Sequence, residues 1–436
     1  MKSRLLLNLL LLFSILGFEL KAQEFDILAD QFAKSTILPL HHYGFSLYDL
    51  DSNRYVYNVR EDHHFTPASN TKVFTLFSSL TNLEDSIAGL HYIERGDSLI
   101  FWGTGDPSFL HPKLDSRKVY NFLSQSHKKL YYVAQQTSEP AYRNGWSIED
   151  YEEYYQPEIS TFPIYGNVVR FQANGKGVKT SPAFFERFVG LREIPTRYFA
   201  VSRKMNENKF ELTNLNVPRS YSSTKPFIWS DTLLVQLLQD TLHRDVHMLS
   251  HYNRPADVKT IYSNARNFVL REMMLPSDNF LAEHLTMLAS DRKFNGFYTD
   301  SLRREMYTNY YKTLTDTIEL RDGSGLSSYN KVSPRSMVEL LVKLKDLIPN
   351  ESQRFLFFPT GGVDGTLRSA YSLDQGQPFV WAKTGTLNRV HCQSGYIITR
   401  SGRRFVYSFL NNNYMVSTST VRREMVRLVT FIRQNY

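Results

Sequence analysis

The stretch Phe65-Thr-Pro-Ala-Ser-Asn-Thr-Lys-Val-Phe-Thr-Leu-Phe77 places a hydroxyl group and an amine at the start of an apolar run. The apolar residues from Val73 onward predict a buried helix, and Pro67 favours an extended segment just before it. Ser69 would then lie at the helix N-terminus, where unpaired backbone N–H groups and the helix dipole favour negative charge. Lys72, three residues further on, shares a helix face with Ser69. This arrangement predicts a serine nucleophile with a lysine as its general base.

Two later motifs are suited to complete such a site. Ser277-Asp-Asn279 offers a second hydroxyl for relaying protons and an amide for holding a substrate. Lys383-Thr-Gly385 brings a cation and a hydroxyl that suit a carboxylate. The Ser-x-x-Lys pattern alone is not specific, because Ser69 could simply cap a helix and because the pattern recurs at Ser126/Lys129, Ser222/Lys225, Ser290/Lys293 and Ser328/Lys331. The three motifs together favour a serine acyl-transfer site.

The likeness extends beyond these motifs to a series of ordered blocks. The blocks are Pro67-Ala-Ser-Asn-Thr-Lys72, Gly103-Thr-Gly-Asp-Pro107, Ser277-Asp-Asn-Phe-Leu-Ala-Glu283, Asp322-Gly-Ser-Gly-Leu-Ser327, Gly362-Val-Asp-Gly-Thr-Leu367, Ala382-Lys-Thr-Gly-Thr-Leu387 and Ser394-Gly-Tyr396. Together they resemble, in content and order, the D-alanyl-D-alanine carboxypeptidase/endopeptidase family typified by penicillin-binding protein 4, the low-molecular-mass class C group. The resemblance covers most of the chain, from about residue 40 to residue 410.

The resemblance implies a fold of the α/β (α+β) class. The expected core is a serine β-lactamase/transpeptidase-like domain, an antiparallel sheet flanked by helices, interrupted by a mostly β insertion. The implied activity is that of a serine-type D-Ala-D-Ala carboxypeptidase that cleaves peptidoglycan stem peptides and is acylated by β-lactam antibiotics. Additional DD-endopeptidase activity stays open, because both reactions cleave after a D-alanine. No cofactor is expected.

Patterning along the chain agrees with an interrupted domain. Residues 43–59 alternate between apolar and polar side chains around a turn, as in a β-hairpin. From about residue 91 the pattern predicts short strands, and little helical periodicity occurs before Asp231–Gln239. Ser277 is predicted to lie on a loop between two helices. The predicted later elements are helices at Asn264–Met274, Asn279–Ser290 and Thr418–Arg433, and antiparallel strands at Phe379–Thr384, Val390–Thr399 and Arg403–Asn411. We therefore predict a catalytic domain formed by residues 23–90 and 251–436, with residues 91–250 inserted.

The first two motifs receive roles from chemistry and from the resemblance. Ser69 is the expected nucleophile, and Lys72 is its base in the free enzyme. A lysine can act as a base only if its pKa is lowered, which burial and the neighbouring cation Lys383 would do. Ser277 would relay a proton to the leaving amine unless it only caps a helix. Asn279 would hold the substrate amide and orient Lys72.

The third motif is expected to hold the substrate. Lys383 and Thr384 would bind the terminal carboxylate of the peptide, and Gly385 would keep the strand open for the substrate backbone. The backbone N–H groups of Ser69 and Thr386 would form the oxyanion hole. The alternative for this motif is an ordinary strand end.

A further candidate lies in the predicted insertion. Gly145-Trp-Ser-Ile-Glu-Asp150 resembles a family motif whose tryptophan and first acid help receive the free amine of the stem-peptide side chain. Those positions are Trp146 and Glu149 here. The second tryptophan of the family motif is replaced by Ile148, and Ser328 stands where the family often has an arginine. A packed tryptophan and a solvated acid are the alternative.

The first residues read as a secretory signal. Lys2 and Arg4 precede a mostly apolar stretch that is too short to span a membrane, and cleavage after Ala22 would leave a periplasmic protein of formal charge about +6 without an integral membrane span. A retained anchor is the alternative. The single cysteine, Cys392, excludes an intrachain disulfide and is expected to be buried.

Composition also bears on partners. No run of Lys and Arg suggests nucleic-acid binding. A metal site is not expected, because His243, His247 and His251 lie in a strand-like segment, where residues four apart are ~13 Å from one another. Two other functions stay open: a β-lactamase or esterase on the same core, or an inactive cell-wall-binding protein. The oligomeric state is not predicted.

Overall fold

The computed structural model describes residues 27–175, 177–192 and 197–436. The predicted signal peptide, residues 1–22, lies outside the described residues. The strands are β1 (His42–Asp49), β2 (Arg54–Val59), β3 (Ser86–Arg95), β4 (Ser98–Trp102), β5 (Lys129–Val133), β6 (Val168–Asn174), β7 (Gly177–Ser181), β8 (Val189–Arg192), β9 (Val201–Arg203), β10 (Phe210–Thr213), β11 (Ser222–Pro226), β12 (Val246–Leu249), β13 (Lys259–Ala265), β14 (Val380–Leu387), β15 (Val390–Ile398) and β16 (Arg404–Asn412). The helices are α1 (27–33), α2 (Lys72–Asn82), α3 (Arg117–Gln125), α4 (Asp231–Leu242), α5 (Arg266–Met274), α6 (Asn279–Phe294), α7 (Thr299–Met306), α8 (Pro334–Leu347), α9 (Glu351–Phe355) and α10 (Thr418–Asn435).

The central sheet joins the two ends of the chain. Its strand order is β14-β15-β16-β1-β2, and every neighbouring pair is antiparallel. Strand β1 pairs with β2 as the predicted hairpin and, on its other side, with β16, so that His42 lies opposite Asn412. The sheet thus brings the Lys383 motif, on its edge strand β14, into the same layer as residues before 60.

Helices cover both faces of this sheet. On one face, α2, α6 and α8 pack their apolar residues against inward-facing sheet residues such as Cys392 and Val406. On the other face, α10 and α1 pack against residues such as Phe45 and Phe409. The buried positions of α10 recur at helical spacing, and they are Val421, Met425, Leu428, Val429 and Ile432. The layering matches the predicted antiparallel sheet flanked by helices.

The region between α2 and α5 forms further sheets around a core of its own. Their strand orders are β12-β5-β4-β3-β13, β11-β6-β7 and β8-β10-β9. The largest of these sheets begins at Ser86 and ends at Ala265, beyond both predicted limits of the insertion, 91 and 250.

Most of the predicted elements are confirmed near their predicted bounds, including α5, α6, β14, β15, β16 and α10. The expectation of little helix between 91 and 231 is wrong at α3. This helix buries only Val119 and Leu123, four residues apart, so its apolar pattern is too short to stand out. Cys392 is buried, as predicted. None of the helices in the described ranges combines the length and the apolar character that a membrane span requires.

Candidate active site

Ser69 lies in a short 3-10 turn, Ala68–Thr71, that leads directly into α2. The predicted position at a helix start is therefore confirmed, with the tighter turn placed before the α-helix proper. Ala68 adopts a left-handed backbone conformation with φ 48°. A Cβ atom on Gly325 would lie 2.0 Å from the Ala68 carbonyl oxygen. Only glycine permits this close approach, so the turn that carries Ser69 packs directly against residues 322–327.

Lys72 is wholly buried and contacts three oxygen atoms. Its Nζ atom lies 2.9 Å from Ser69 Oγ, 2.6 Å from Asn279 Oδ1 and 2.6 Å from the Ser324 carbonyl oxygen. The two carbonyl-type oxygens can only accept hydrogen bonds. A neutral amine can therefore donate to both of them and direct its lone pair at the Ser69 hydroxyl.

Burial lowers the pKa of Lys72 to about 8, although the carboxylates of Asp322, Asp278 and Glu283 act in the opposite direction. The expected repulsion between Lys72 and Lys383 is seen in the pKa of Lys383. Burial is the main cause of the shift in both lysines, and Lys72 lowers the pKa of Lys383, which falls well below its usual range. Among the described residues, the hydrogen-bond partners of both lysines are uncharged oxygens and not carboxylates.

Ser277 lies on the loop between α5 and α6, as predicted, with a left-handed φ of 65°. Its Oγ atom accepts a hydrogen bond of 2.8 Å from Lys383 Nζ. The cap of α6 is the neighbouring Asp278, whose side chain accepts from the Leu281 N–H group. Ser277 is therefore free of the capping role that was its alternative, and its hydroxyl faces the second lysine.

The remaining residues of the third motif lie along edge strand β14. Lys383 is wholly buried and also donates to the Thr384 carbonyl oxygen at 2.7 Å. Thr384 is half-buried and donates from its hydroxyl to Thr366 at 2.6 Å. Thr386 is exposed, and its hydroxyl lies 2.8 Å from His391 Nδ1.

Gly385 has a structural reason that differs from the predicted one. A Cβ atom at this position would lie 2.6 Å from the Pro67 carbonyl oxygen and 2.7 Å from the Ser69 backbone nitrogen. The missing side chain therefore lets β14 approach the backbone of the Ser69 turn. As a result, the N–H group of Ser69 lies close to the strand that carries Thr386.

Two buried carboxylates organise residues 322–327, and sequence reasoning assigned neither a role. Asp322 accepts hydrogen bonds from the backbone N–H groups of Gly325 and Ser327 at 2.9 and 2.7 Å. Glu283 accepts from those of Gly323 and Ser324 at 2.9 and 2.8 Å. One signal could have identified Glu283: it lies four residues after Asn279 and so shares its helix face.

The insertion contacts the site through residues around the predicted amine pocket. Trp146 is half-buried and donates its indole N–H to Asp322 Oδ2 at 2.8 Å. The Tyr155 carbonyl oxygen accepts from Asn279 Nδ2 at 2.9 Å, so part of the amide expected to hold substrate is engaged by protein. Glu149 is exposed on the short turn Ile148–Asp150. Trp146 thus reaches the turn beside Lys72, and Glu149 remains at the surface.

Within the described ranges, no group of three or more His, Cys, Asp and Glu side chains is arranged to hold a metal ion.

The chain is similar to known proteins along most of its length. The model of the D-Ala-D-Ala carboxypeptidase 3 (S13) family matches residues 27–435. A curated relative, D-alanyl-D-alanine carboxypeptidase DacB of Haemophilus influenzae, is 29% identical over 180 residues. That match covers 38% of this chain and 36% of the relative, so it spans about a third of the relative's length.

Solved structures resemble the whole fold. Penicillin-binding protein 4 from Haemophilus influenzae superposes with a TM-score of 0.75 at 19% identity, covering 93% of this chain and 99% of that one. A predatory peptidoglycan endopeptidase from Bdellovibrio bacteriovorus superposes with a TM-score of 0.51 at 12% identity, covering 89% and 92% of the two chains. These similarities confirm the predicted fold class.

Proposed function

The chain belongs to the D-Ala-D-Ala carboxypeptidase 3 (S13) family, and from this premise we propose that it is a serine-type D-Ala-D-Ala carboxypeptidase that cleaves peptidoglycan stem peptides through an acyl-enzyme on Ser69. The observation that carries the proposal is the contact of the buried Lys72 amine with the Ser69 hydroxyl. With a pKa of about 8, a useful fraction of Lys72 is neutral near pH 7 and can accept the proton.

Acylation begins when Lys72 takes the proton of Ser69. The Oγ atom then attacks the carbonyl carbon of the penultimate D-alanine, and the negative charge on the carbonyl oxygen is received by the N–H groups of Ser69 and Thr386. The close approach at Gly385 supports this pairing of donors. The C–N bond breaks as the proton that Lys72 took from Ser69 passes by way of the Ser277 hydroxyl to the leaving D-alanine amine. Water later hydrolyses the ester, which releases the shortened peptide and restores the Ser69 hydroxyl.

Lys383 and Thr384 bind the terminal carboxylate of the substrate. Lys383 has no carboxylate partner among the described residues and has a strongly lowered pKa. An arriving carboxylate favours its charged form, so that binding draws a proton onto Lys383. The proposed pair is therefore formed by the substrate itself. A peptide without this carboxylate should bind and react poorly.

Endopeptidase cleavage would use the same chemistry, because only the group on the leaving side of the D-alanine differs. Penicillins carry a carboxylate and a reactive carbonyl in a comparable arrangement, so they acylate Ser69 and leave a slowly hydrolysed ester. The signal-like residues 1–22 support a periplasmic location, where these substrates are found.

Fluorescent penicillin tests the proposal. One stable adduct per chain is expected by intact-mass analysis, on the peptide that contains Ser69, and release of D-alanine from a stem peptide should follow the same active fraction. Ser69→Ala should abolish both, whereas Ser126→Ala, in a recurrence of the same pattern, should leave both unchanged.

Other outcomes select other functions. Rapid turnover of the label would indicate a β-lactamase, and the absence of any adduct would indicate a wall-binding protein. An adduct on Ser126, Ser222, Ser290 or Ser328 would contradict the assignment of the nucleophile.

A further inference from the structure

Glu283 contacts the turn at residues 322–327, whose Ser324 carbonyl oxygen accepts a hydrogen bond from Lys72. Glu283 lies wholly buried in α6, on the same face as Asn279. Its Oε1 atom accepts both the Gly323 and the Ser324 backbone N–H groups, at 2.9 and 2.8 Å. Ser324 is thus held by its N–H group on Glu283, while its carbonyl oxygen accepts from Lys72 at 2.6 Å. The position of an acceptor that orients the base therefore depends on Glu283.

The second oxygen of Glu283 is bound from the insertion. Arg143 donates from Nε to Glu283 Oε2 at 3.2 Å and forms a second salt bridge with Glu139. Glu139 in turn accepts the backbone N–H and the hydroxyl of Thr299, both at 2.6 Å, at the start of α7. Two residues distant from the motifs in sequence are thereby fixed against the helix that carries Asn279.

We propose that Glu283 is a positioning residue for acylation, and that the insertion sets the geometry of Lys72 through Arg143, Glu283 and Ser324. The inference rests on the proposed function of Ser69 and Lys72. It gives the insertion a part in catalysis that is separate from any contact with substrate.

The charge of Glu283 supports this role. Glu283, Asp322 and Asp278 together raise the pKa of Lys72 against the effect of burial. Burial and the neighbouring anion Asp322 raise the pKa of Glu283, and the cations Arg143 and Arg303 oppose this shift. The donors that contact both of its oxygens favour the carboxylate form. Removing the negative charge of Glu283 while keeping its length should therefore make Lys72 a weaker base that is deprotonated at lower pH.

Asp291 provides a matched control on the same helix. Asp291 is also buried and also binds an arginine. Its Oδ1 atom lies 2.8 Å from Arg254 Nη2, and its Oδ2 atom lies 3.0 Å from His91 Nε2. The hydrogen bonds of its carboxylate go to those two residues and not to residues 322–327. A purely structural carboxylate of α6 should behave like Asp291.

The experiment measures the acylation rate constant with fluorescent penicillin across a pH series, per active site, for wild type, Glu283→Gln, Glu283→Asp and Asp291→Asn. Because the rate constant is independent of the amount of folded protein, partial misfolding does not alter it. Glu283→Gln should move the acid limb to lower pH by roughly one unit. Glu283→Asp keeps the charge but shortens the side chain, so it should leave the limb in place and lower the plateau about 100-fold.

The outcomes separate this inference from the proposed function. No acylation of wild type would contradict the proposed function. Normal acylation of wild type, with the pH profiles of both Glu283 variants superimposable on that of Asp291→Asn, would overturn the positioning role alone. If Glu283→Gln does not fold, an unchanged plateau in Glu283→Asp overturns it equally.

Discussion

Two groups of buried charge lie close together in this protein, and their surroundings differ. Arg143 is neutralised by Glu139 and Glu283, and burial of the group is compensated by further hydrogen bonds. Lys72 and Lys383 are equally buried, but within the described residues they are bound only to uncharged oxygens. In the first group, despite burial, Arg143 holds the pKa of Glu139 below its usual range and the two carboxylates raise the pKa of Arg143, although burial raises the pKa of Glu283. In the second group, burial lowers the pKa of both lysines. A buried cation without a counter-charge is thus available for proton transfer, and the paired group beside it holds the surrounding chain in place.

Lys72→Met should have the largest effect. Loss of the base is expected to slow acylation by penicillin at least about 10³-fold. The melting temperature should stay near that of wild type, because burial of an unpaired ammonium costs the folded state free energy that methionine does not. The rate of labelling by fluorescent penicillin checks the first expectation, and thermal unfolding checks the second.

The wild-type rate should rise with pH through about 8, because only the neutral form of Lys72 accepts the proton. Lys331→Met, in a recurrence of the Ser-x-x-Lys pattern, should leave both rate and pH profile unchanged. A rate that is flat across this pH range would contradict the assignment of Lys72 as base.

Arg143→Met tests the paired group and should act mainly on stability. It leaves two buried carboxylates without their cation, which is expected to lower the free energy of unfolding by about 3–5 kcal/mol. The exposed Arg95, paired with Asp257 at the surface, is the control, and Arg95→Met should leave the free energy of unfolding close to that of wild type. Urea unfolding followed by fluorescence measures the free energy of unfolding of both variants. Equal losses of stability would show that the buried and the exposed ion pairs do not differ.

Lys383 should be tested together with the substrate carboxylate that is expected to become its partner. Amidation of the terminal D-alanine should cost about 2–4 kcal/mol of transition-state stabilisation in kcat/KM for the wild type. In Lys383→Met the same amidation should have little further effect, because the two changes remove one interaction. Additive losses would show that the carboxylate is bound elsewhere, and equal rates for free and amidated peptides in the wild type would favour endopeptidase use.

Glu149→Gln should have the smallest effect. The side chain is exposed, so an ion pair with the free amine of the stem peptide contributes at most ~1 kcal/mol. Cleavage of a peptide with a free side-chain amine should slow by that amount, and cleavage of the N-acetylated peptide should not change. An equal effect on both peptides would argue against an amine pocket at this position.

Sequence reasoning was strongest where local pattern and chemistry coincide. The apolar run after Ser69 and the alternating strand at Lys383 predicted the elements that carry two of the motifs, since burial enforces the helical and strand periods. The loop position of Ser277 followed from the helices on either side. These inferences needed no knowledge of how distant segments meet.

The residues whose roles the sequence did not predict owe those roles to tertiary contacts. Glu283 has the sequence pattern of an ordinary helical acid, and Arg143 that of a surface cation in a loop; only the fold brings them together across 140 residues. The reason for Gly385 was likewise hidden, because it lies in the backbone of Pro67 and Ser69 on another segment. Local propensity carries no information on such approaches.

The pairing of β1 with β16 also sets the order in which the molecule is completed. His41 is hydrogen-bonded to Asn411 across 370 residues, so the central sheet cannot close until nearly the whole chain has been synthesised. At ~5–20 residues per second, Ser69 leaves the ribosome roughly 20–70 s before Asn412 does. For most of that interval the serine lacks β14 and Lys383, and earlier still it lacks Ser324. The emerging chain therefore carries an unreactive serine hydroxyl, and the site is assembled only when β14 has been made and the strands after it hold it in the sheet.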